Sequence, residues 1–185
     1  RVEIAATVLL SVAAVATAWS SYQATRWNGE QAKAASRTNA IRIDAARAQG
    51  LAEAQTQVDV ATFSSWVDAY ARDETVLANF YFKRFRAEFK PAVDAWIAER
   101  PLMNPAAPLT PFAMPQYELA ATAEAERLDA EAAVSSAVVQ RNIQRASNYV
   151  LAVVLFAVSL FFAGLSTKLA DRRLRKVGFV FQFHF

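Results

Sequence analysis

The sequence predicts an all-α protein in which transmembrane helices continue into a long antiparallel extramembrane helical bundle. Three observations carry that expectation. Two runs of 22 residues, Ile4 to Thr25 and Ala146 to Thr167, hold no formal charge, and each is bounded by charged residues. At a helical rise of about 1.5 Å per residue each run covers roughly 33 Å, enough to cross a hydrocarbon core of about 30 Å. Only four glycines occur in 185 residues and alanine is abundant, which favours long helices. Five of the six prolines fall between Pro101 and Pro115, so the helical patterns on either side are almost uninterrupted.

Composition fits that division. Hydrophobic residues make up 55% and mean hydropathy is +0.13, yet 20% of the residues are charged. Membrane spans joined to a water-exposed helical region have this mixture. The segments read as a first transmembrane helix (1–26), an extramembrane helical domain (27–145) with a proline-rich turn (101–115), a second transmembrane helix (146–167) and a basic segment (168–185). About 120 residues between the spans suffice for one domain with a modest core. Net charge is +3 with a pI near 9.4, but the excess is local. Lys168, Arg172, Arg173, Arg175 and Lys176 crowd directly behind the second run. That is the positive-inside pattern, which places this segment in the cytoplasm and the domain between the spans outside it. The partner it implies is a lipid bilayer and not a nucleic acid.

The first run is mostly Ala and Val. Glu3, Thr7, Ser11, Ala14, Ala18 and Ser21 share one helical face, a small and partly polar stripe. Small residues let helices approach closely in lipid, so the plain reading is a helix-packing face. The sharper one is the lining of a pore in an oligomer. No basic n-region precedes the run, and Ala14-Val15-Ala16 has the A-x-A form only because alanine is so frequent. It reads as an uncut helix and not as a signal peptide. The chain opens on Arg1 and not on methionine, which predicts that the natural N-terminus lies upstream. Trp19, Tyr22 and Trp27 close the first run and Tyr149 opens the second, marking one shared membrane interface. Arg26, Lys33, Arg37 and Arg42 also follow the first run, interleaved with Glu30 and Asp44 in a long loop where charge bias counts for less.

Beyond Asn28, positions Ala34, Thr38, Ile41, Ala45, Ala48, Ala52, Gln55, Asp59, Thr62 and Trp66 repeat at alternating spacings of three and four. This predicts a helix that runs on from the membrane with a thin alanine seam, bent at Gly29 or Gly50 if anywhere. Asp73 or Thr75 caps a further helix over 73–100. Its large face is Leu77, Tyr81, Phe85, Phe89, Ala92 and Trp96, flanked by Phe80 and Phe82, and Pro91 kinks or restarts it. Lys83, Arg84, Arg86 and Lys90 lie among these aromatics. Single-stranded nucleic acid or a membrane surface could use that pattern, but an amphipathic helix filling the domain core explains it more plainly. In the proline-rich turn Leu102, Met103, Leu109, Phe112 and Met114 are expected to pack onto the domain. From about Gln116 a second helix follows, with Leu119, Ala123, Leu128, Ala132, Ser135 and Val139 as its seam. It continues through Arg141 and Arg145 into a second span bulkier than the first, which puts the first helix inside an assembly and the second towards lipid. Val177 to Phe185 is apolar but too short to cross a bilayer, and reads as the start of a third span.

Chemistry is sparse. There is no cysteine, and His184 is the single histidine. Thiolate metal sites, haem ligation and a serine triad are therefore not expected. Scattered glycines make no phosphate loop. The carboxylates from Glu118 to Glu131 match no calcium loop and read as solvated helix charge. The expectation is a non-enzyme without cofactor or metal.

Ala18-Trp19-Ser20-Ser21-Tyr22-Gln23 with Trp27, then Phe89-Lys90-Pro91-Ala92-Val93-Asp94-Ala95-Trp96 and Asn104-Pro105-Ala106-Ala107-Pro108, resemble a family of uncharacterised small bacterial integral membrane proteins with two to three transmembrane helices. The resemblance covers most of residues 2 to 176. It implies the bacterial inner membrane and no mechanism. The tail from Val177 departs from the third hydrophobic segment that the family pattern would place there. Function is expected to be structural or interactive, as a homo-oligomer or an accessory subunit among other membrane proteins. The alternative is an oligomeric ion or small-solute channel lined by the first helix.

Overall fold

The computed structural model describes the backbone of residues 2–181, and side chains for Ile4 and residues 7–165. Among the described residues the chain is all-helical, with four α-helices, one short 3-10 turn and no strand. Helix α1 runs from Val2 to Ala71, α2 from Thr75 to Phe82, α3 from Lys90 to Ala98 and α4 from Ala120 to Phe181, with the 3-10 turn at Pro111–Ala113. The chain divides into two compact units, Arg1–Arg37 with Ser135–Phe185, and Thr38–Val134. Both long helices pass uninterrupted from the predicted spans into the polar sequence. Neither Gly29 nor Gly50 ends α1, and a Cβ at either position would meet open space.

In the second unit, α1 buries or half-buries every seam position expected of it, from Thr38 through Asp59 to Trp66. Its contacts are thin. Ala45, Ala52 and Ala69 are buried, and Ala52 meets Leu119 and Ala121, with Tyr117 against them. A seven-residue period of small side chains brings helices together closely while burying little area per turn. On α4 the expected seam holds at Leu119, Leu128, Ala132, Ser135 and Val139 and fails at one position. Ala123 is exposed, and Ala121 and Ala125 are buried instead, in register with Leu128 and Ala132. The helix also starts at Ala120 and not near Gln116. The Ala120 N–H donates to Glu88 Oε1 at 3.2 Å, so a carboxylate from elsewhere in the chain caps the first turn.

The helix expected over 73–100 is two helices. No proline or glycine separates α2 from α3, so tertiary packing overrides local propensity here. The turn between them puts Phe85 and Phe89 in the core together with Phe63 and Val93, ringed by Trp66, Phe82, Trp96, Phe112 and Tyr117. Leu77, expected on that face, is exposed. Neither expected cap acts. The residue before α2 is Glu74, with no side-chain cap, and Asp73 adopts φ 56°, a left-handed turn that aspartate tolerates. Pro91 does start a helix, near the N-terminus of α3 where its missing N–H costs nothing.

The proline-rich segment is a structured cap only in part. Pro111 is buried, Phe112 stacks on Phe89 with centroids 4.9 Å apart, and Trp96 Nε1 donates to the Pro108 carbonyl at 2.7 Å. Leu102, Met103 and Leu109 do not pack onto the domain. They are 84%, 85% and 95% exposed. Arg100 adopts φ 52°, a left-handed turn just after α3.

Within the first unit, Ser20, Gln23 and Ala24 of α1 and Asn142 and Ala146 of α4 are buried. Among the described residues one helical segment, Ala120–Leu165, contains a stretch long and apolar enough to cross a membrane, with hydropathy 2.2 and none of it buried. The expected first span, Ile4 to Thr25, opens among residues whose side chains lie outside the described set. So does the possible third span, Val177 to Phe185.

Candidate functional site

A polar cluster and an apolar groove lie in the Thr38–Val134 unit, each sharing residues with the aromatic core. The polar cluster begins with Asp59, a seam position of α1 that is fully buried. Its Oδ2 accepts from Arg86 Nη1 at 2.8 Å and from the Tyr117 hydroxyl at 3.2 Å. Tyr117 has one proton to share between Asp59 and Thr56 Oγ1, 3.3 Å away, because the Thr56 hydroxyl already donates to the Ala52 carbonyl. Arg86 also pairs with Glu88, whose other oxygen caps α4. One cluster therefore ties α1, the α2–α3 turn and the start of α4 together. Asp59 Oδ1 and Gln55 Oε1, one helical turn apart, are buried without a protein donor.

Burial dominates the electrostatics. It pushes the Asp59 carboxyl above the ordinary range, and the Arg86 charge and the Tyr117 hydrogen bond pull only partly back. Burial likewise raises the Tyr117 phenol. Among the described residues no group of three or more metal-ligating side chains occurs.

The groove, about 370 Å³, is lined by Trp66, Val67 and Tyr70 from α1, Trp96 and Ile97 from α3, and the following segment Arg100 to Met103. Trp66 and Tyr70 stack along it at 5.5 Å. Leu102 and Met103 form an exposed apolar rim, and the exposed Leu109 lies in the same proline-rich stretch.

The residues singled out by sequence lie elsewhere. Thr7, Ser11, Ala14, Ala18 and Ser21 are all exposed, and Ser11 Oγ donates to the Thr7 carbonyl at 2.9 Å. Glu3 and the basic cluster Lys168, Arg172, Arg173, Arg175 and Lys176 lie outside the described side chains. Trp19 and Tyr22 are exposed with rings 5.9 Å apart, while Trp27 and Tyr149 are half-buried. Of the interleaved cations, Arg84 sits 3.5 Å over Phe80, Lys90 sits 5.4 Å from Phe82 and Arg86 turns inward to Asp59. Sequence reasoning placed Asp59 on the seam but missed its pairing with Arg86 and Glu88. A charge on an otherwise small, apolar seam was the available signal. Compared with known proteins, the chain matches no family model, no curated protein and no solved structure.

Proposed function

We propose that this is an integral membrane structural or interaction protein, self-assembling or an accessory subunit of a membrane complex. Residues 1–26 and 146–167 cross the membrane. The helices extend into an antiparallel bundle outside the cytoplasm, and the basic segment behind Thr167 stays inside. The unburied apolar stretch of α4 supports the membrane part of this reading. The bacterial inner membrane is the compartment that the family resemblance implies. One observation carries the interaction part: Leu102, Met103 and Leu109 are 84–95% exposed, in a segment that borders the Trp66–Trp96 groove. Exposed contiguous apolar surface outside a membrane marks a docking site. The test is the mass and composition of the intact particle in mild detergent. An oligomer or a defined complex is expected, reduced to monomer by Leu102→Ser/Met103→Ser/Leu109→Ser with helix content unchanged. A monodisperse monomer from the unmodified protein would refute the reading.

A second reading is an oligomeric channel lined by Glu3, Thr7, Ser11, Ala14 and Ala18. It is favoured by the exposure of every described member of that stripe, which leaves the face open to other copies. Ser11→Trp should then abolish conductance in reconstituted bilayers. Absence of conductance from the unmodified protein would sink it.

A further inference from the structure

The geometry points to a binding site for the phosphate of an anionic lipid headgroup, formed by Arg26 and Arg145 around Trp27, where the two apolar runs meet water. It rests on the membrane reading above. The Arg145 guanidinium carbon lies 4.4 Å from the Trp27 ring centroid and that of Arg26 lies 5.9 Å from it. The two charges therefore fall within roughly a Debye length of each other, about 10 Å at 0.1 M salt, and their repulsion is incompletely screened. Both side chains are exposed, and among the described residues no carboxylate pairs with either. The sequence around them explains why. Glu30 is the one acidic residue among the described side chains of this unit, and Lys33 holds it at 3.1 Å.

The chain as a whole segregates charge in the same sense. Arg1–Arg37 with Ser135–Phe185 carries 11 basic and 3 acidic residues, while Thr38–Val134 carries 9 and 14. Five of these 11, Lys168 to Lys176, lie at the far end of the second run. Near the pair, Arg26, Lys33, Arg37, Arg141 and Arg145 still outnumber Glu30, an excess that beside the apolar runs favours an anion belonging to the bilayer. A guanidinium laid on an indole keeps its donor-bearing edge free, and that edge matches phosphate oxygens in pairs. Trp19, Tyr22 and Tyr149, within two or three turns of the pair along the sequence, are residue types that settle at headgroup level. An anion meeting the two arginines there is the headgroup phosphate.

The experiment uses the full chain reconstituted into nanodiscs of phosphatidylcholine with and without phosphatidylglycerol, after alkaline-carbonate extraction has established insertion. Native mass spectrometry of the released particle then counts each lipid retained. Preferential retention of phosphatidylglycerol is expected. Arg26→Gln/Arg145→Gln should weaken it by roughly fivefold per arginine. Arg42→Gln/Arg47→Gln, which removes the same charge from the other unit, should leave it intact. A chain that fails to insert defeats the membrane reading itself. An inserted chain that retains both lipids equally, or that responds alike to the two double variants, overturns only the headgroup site. Displacement of phosphatidylglycerol by inorganic phosphate would reassign the site to a free anion. A changed particle mass with lipid retention unchanged would reassign the arginines to contacts between copies.

Discussion

Replacing Arg86 with methionine tests whether the buried charge cluster holds the Thr38–Val134 unit together. Asp59 has a side-chain exposure of 0% and Arg86 24%, with 2.8 Å between them. Removing the arginine leaves a carboxylate in the interior with only the Tyr117 hydroxyl as a donor. Breaking one partner of a buried pair costs about 3–5 kcal/mol. Because Arg86 is partly open to water, the lower end, about 3 kcal/mol, is expected at pH 7. The cost should depend on pH in a definite direction. Burial raises the folded-state pKa of Asp59 above its ordinary 3.8, so the native state holds this proton more tightly than the unfolded chain does. Its stabilising contribution is complete below the unfolded value and is lost as pH rises through the folded value. Without Arg86 the folded value climbs further, and the neutral acid needs no countercharge. Arg86→Met should therefore be strongly destabilising at neutral pH and much less so under mildly acidic conditions. Urea unfolding of the detergent-solubilised chain, followed by far-UV circular dichroism and tryptophan fluorescence, measures both. Asp59→Leu/Arg86→Met should recover most of the loss, since no fully buried charge is left unpaired and Glu88, 33% exposed, keeps its access to water. A methionine variant as stable as the wild type at neutral pH, or equally weakened at both pH values, would refute the reasoning.

Two further predictions concern the same unit. Phe89→Ala should cost about 3–5 kcal/mol in the same unfolding assay, because the ring is fully buried and stacked on Phe112, and the gap cannot close around it. Trp96→Phe keeps the ring in place but removes the 2.7 Å donation to the Pro108 carbonyl, a loss of about 1 kcal/mol. Its more telling readout is hydrogen exchange, which should quicken at Ala113 and Met114 while the amides of α1 stay protected.

Helix type and most of the seam were legible in the sequence because both depend on local period. Thr38, Ala45, Ala52 and Asp59 recur every seven residues, and the backbone follows them. The break between α2 and α3 was not legible. No residue from Lys83 to Phe89 forbids a helix, and the turn arises because Phe85, Phe89 and Arg86 each find a partner distant in sequence. Ala123 was misplaced for a related reason. The start of α4 is fixed by Glu88, some thirty residues earlier, and a local pattern cannot carry that information. The apolar residues of the proline-rich stretch divide by their neighbours. Phe112 has Phe89 to stack on, whereas Leu102, Met103 and Leu109 stay 84–95% exposed.

These features bear on one another energetically. An alanine seam buries little area per turn, at roughly 25 cal/mol per Å² of apolar surface. In the Thr38–Val134 unit the larger buried surfaces are concentrated in the aromatic cluster and the Asp59–Arg86–Glu88 group beside it. The groove proposed for docking shares Trp66 and Trp96 with the rim of that cluster. A perturbation that loosens the core should therefore reach the groove before it reaches the long helices, whose backbone hydrogen bonds are local. Association through Leu102 and Met103 should consequently fail in Phe89→Ala at temperatures where helix content is still native. If binding and helicity were instead lost at the same temperature, the groove and the seam would be one cooperative unit, and the division of labour between them would be wrong.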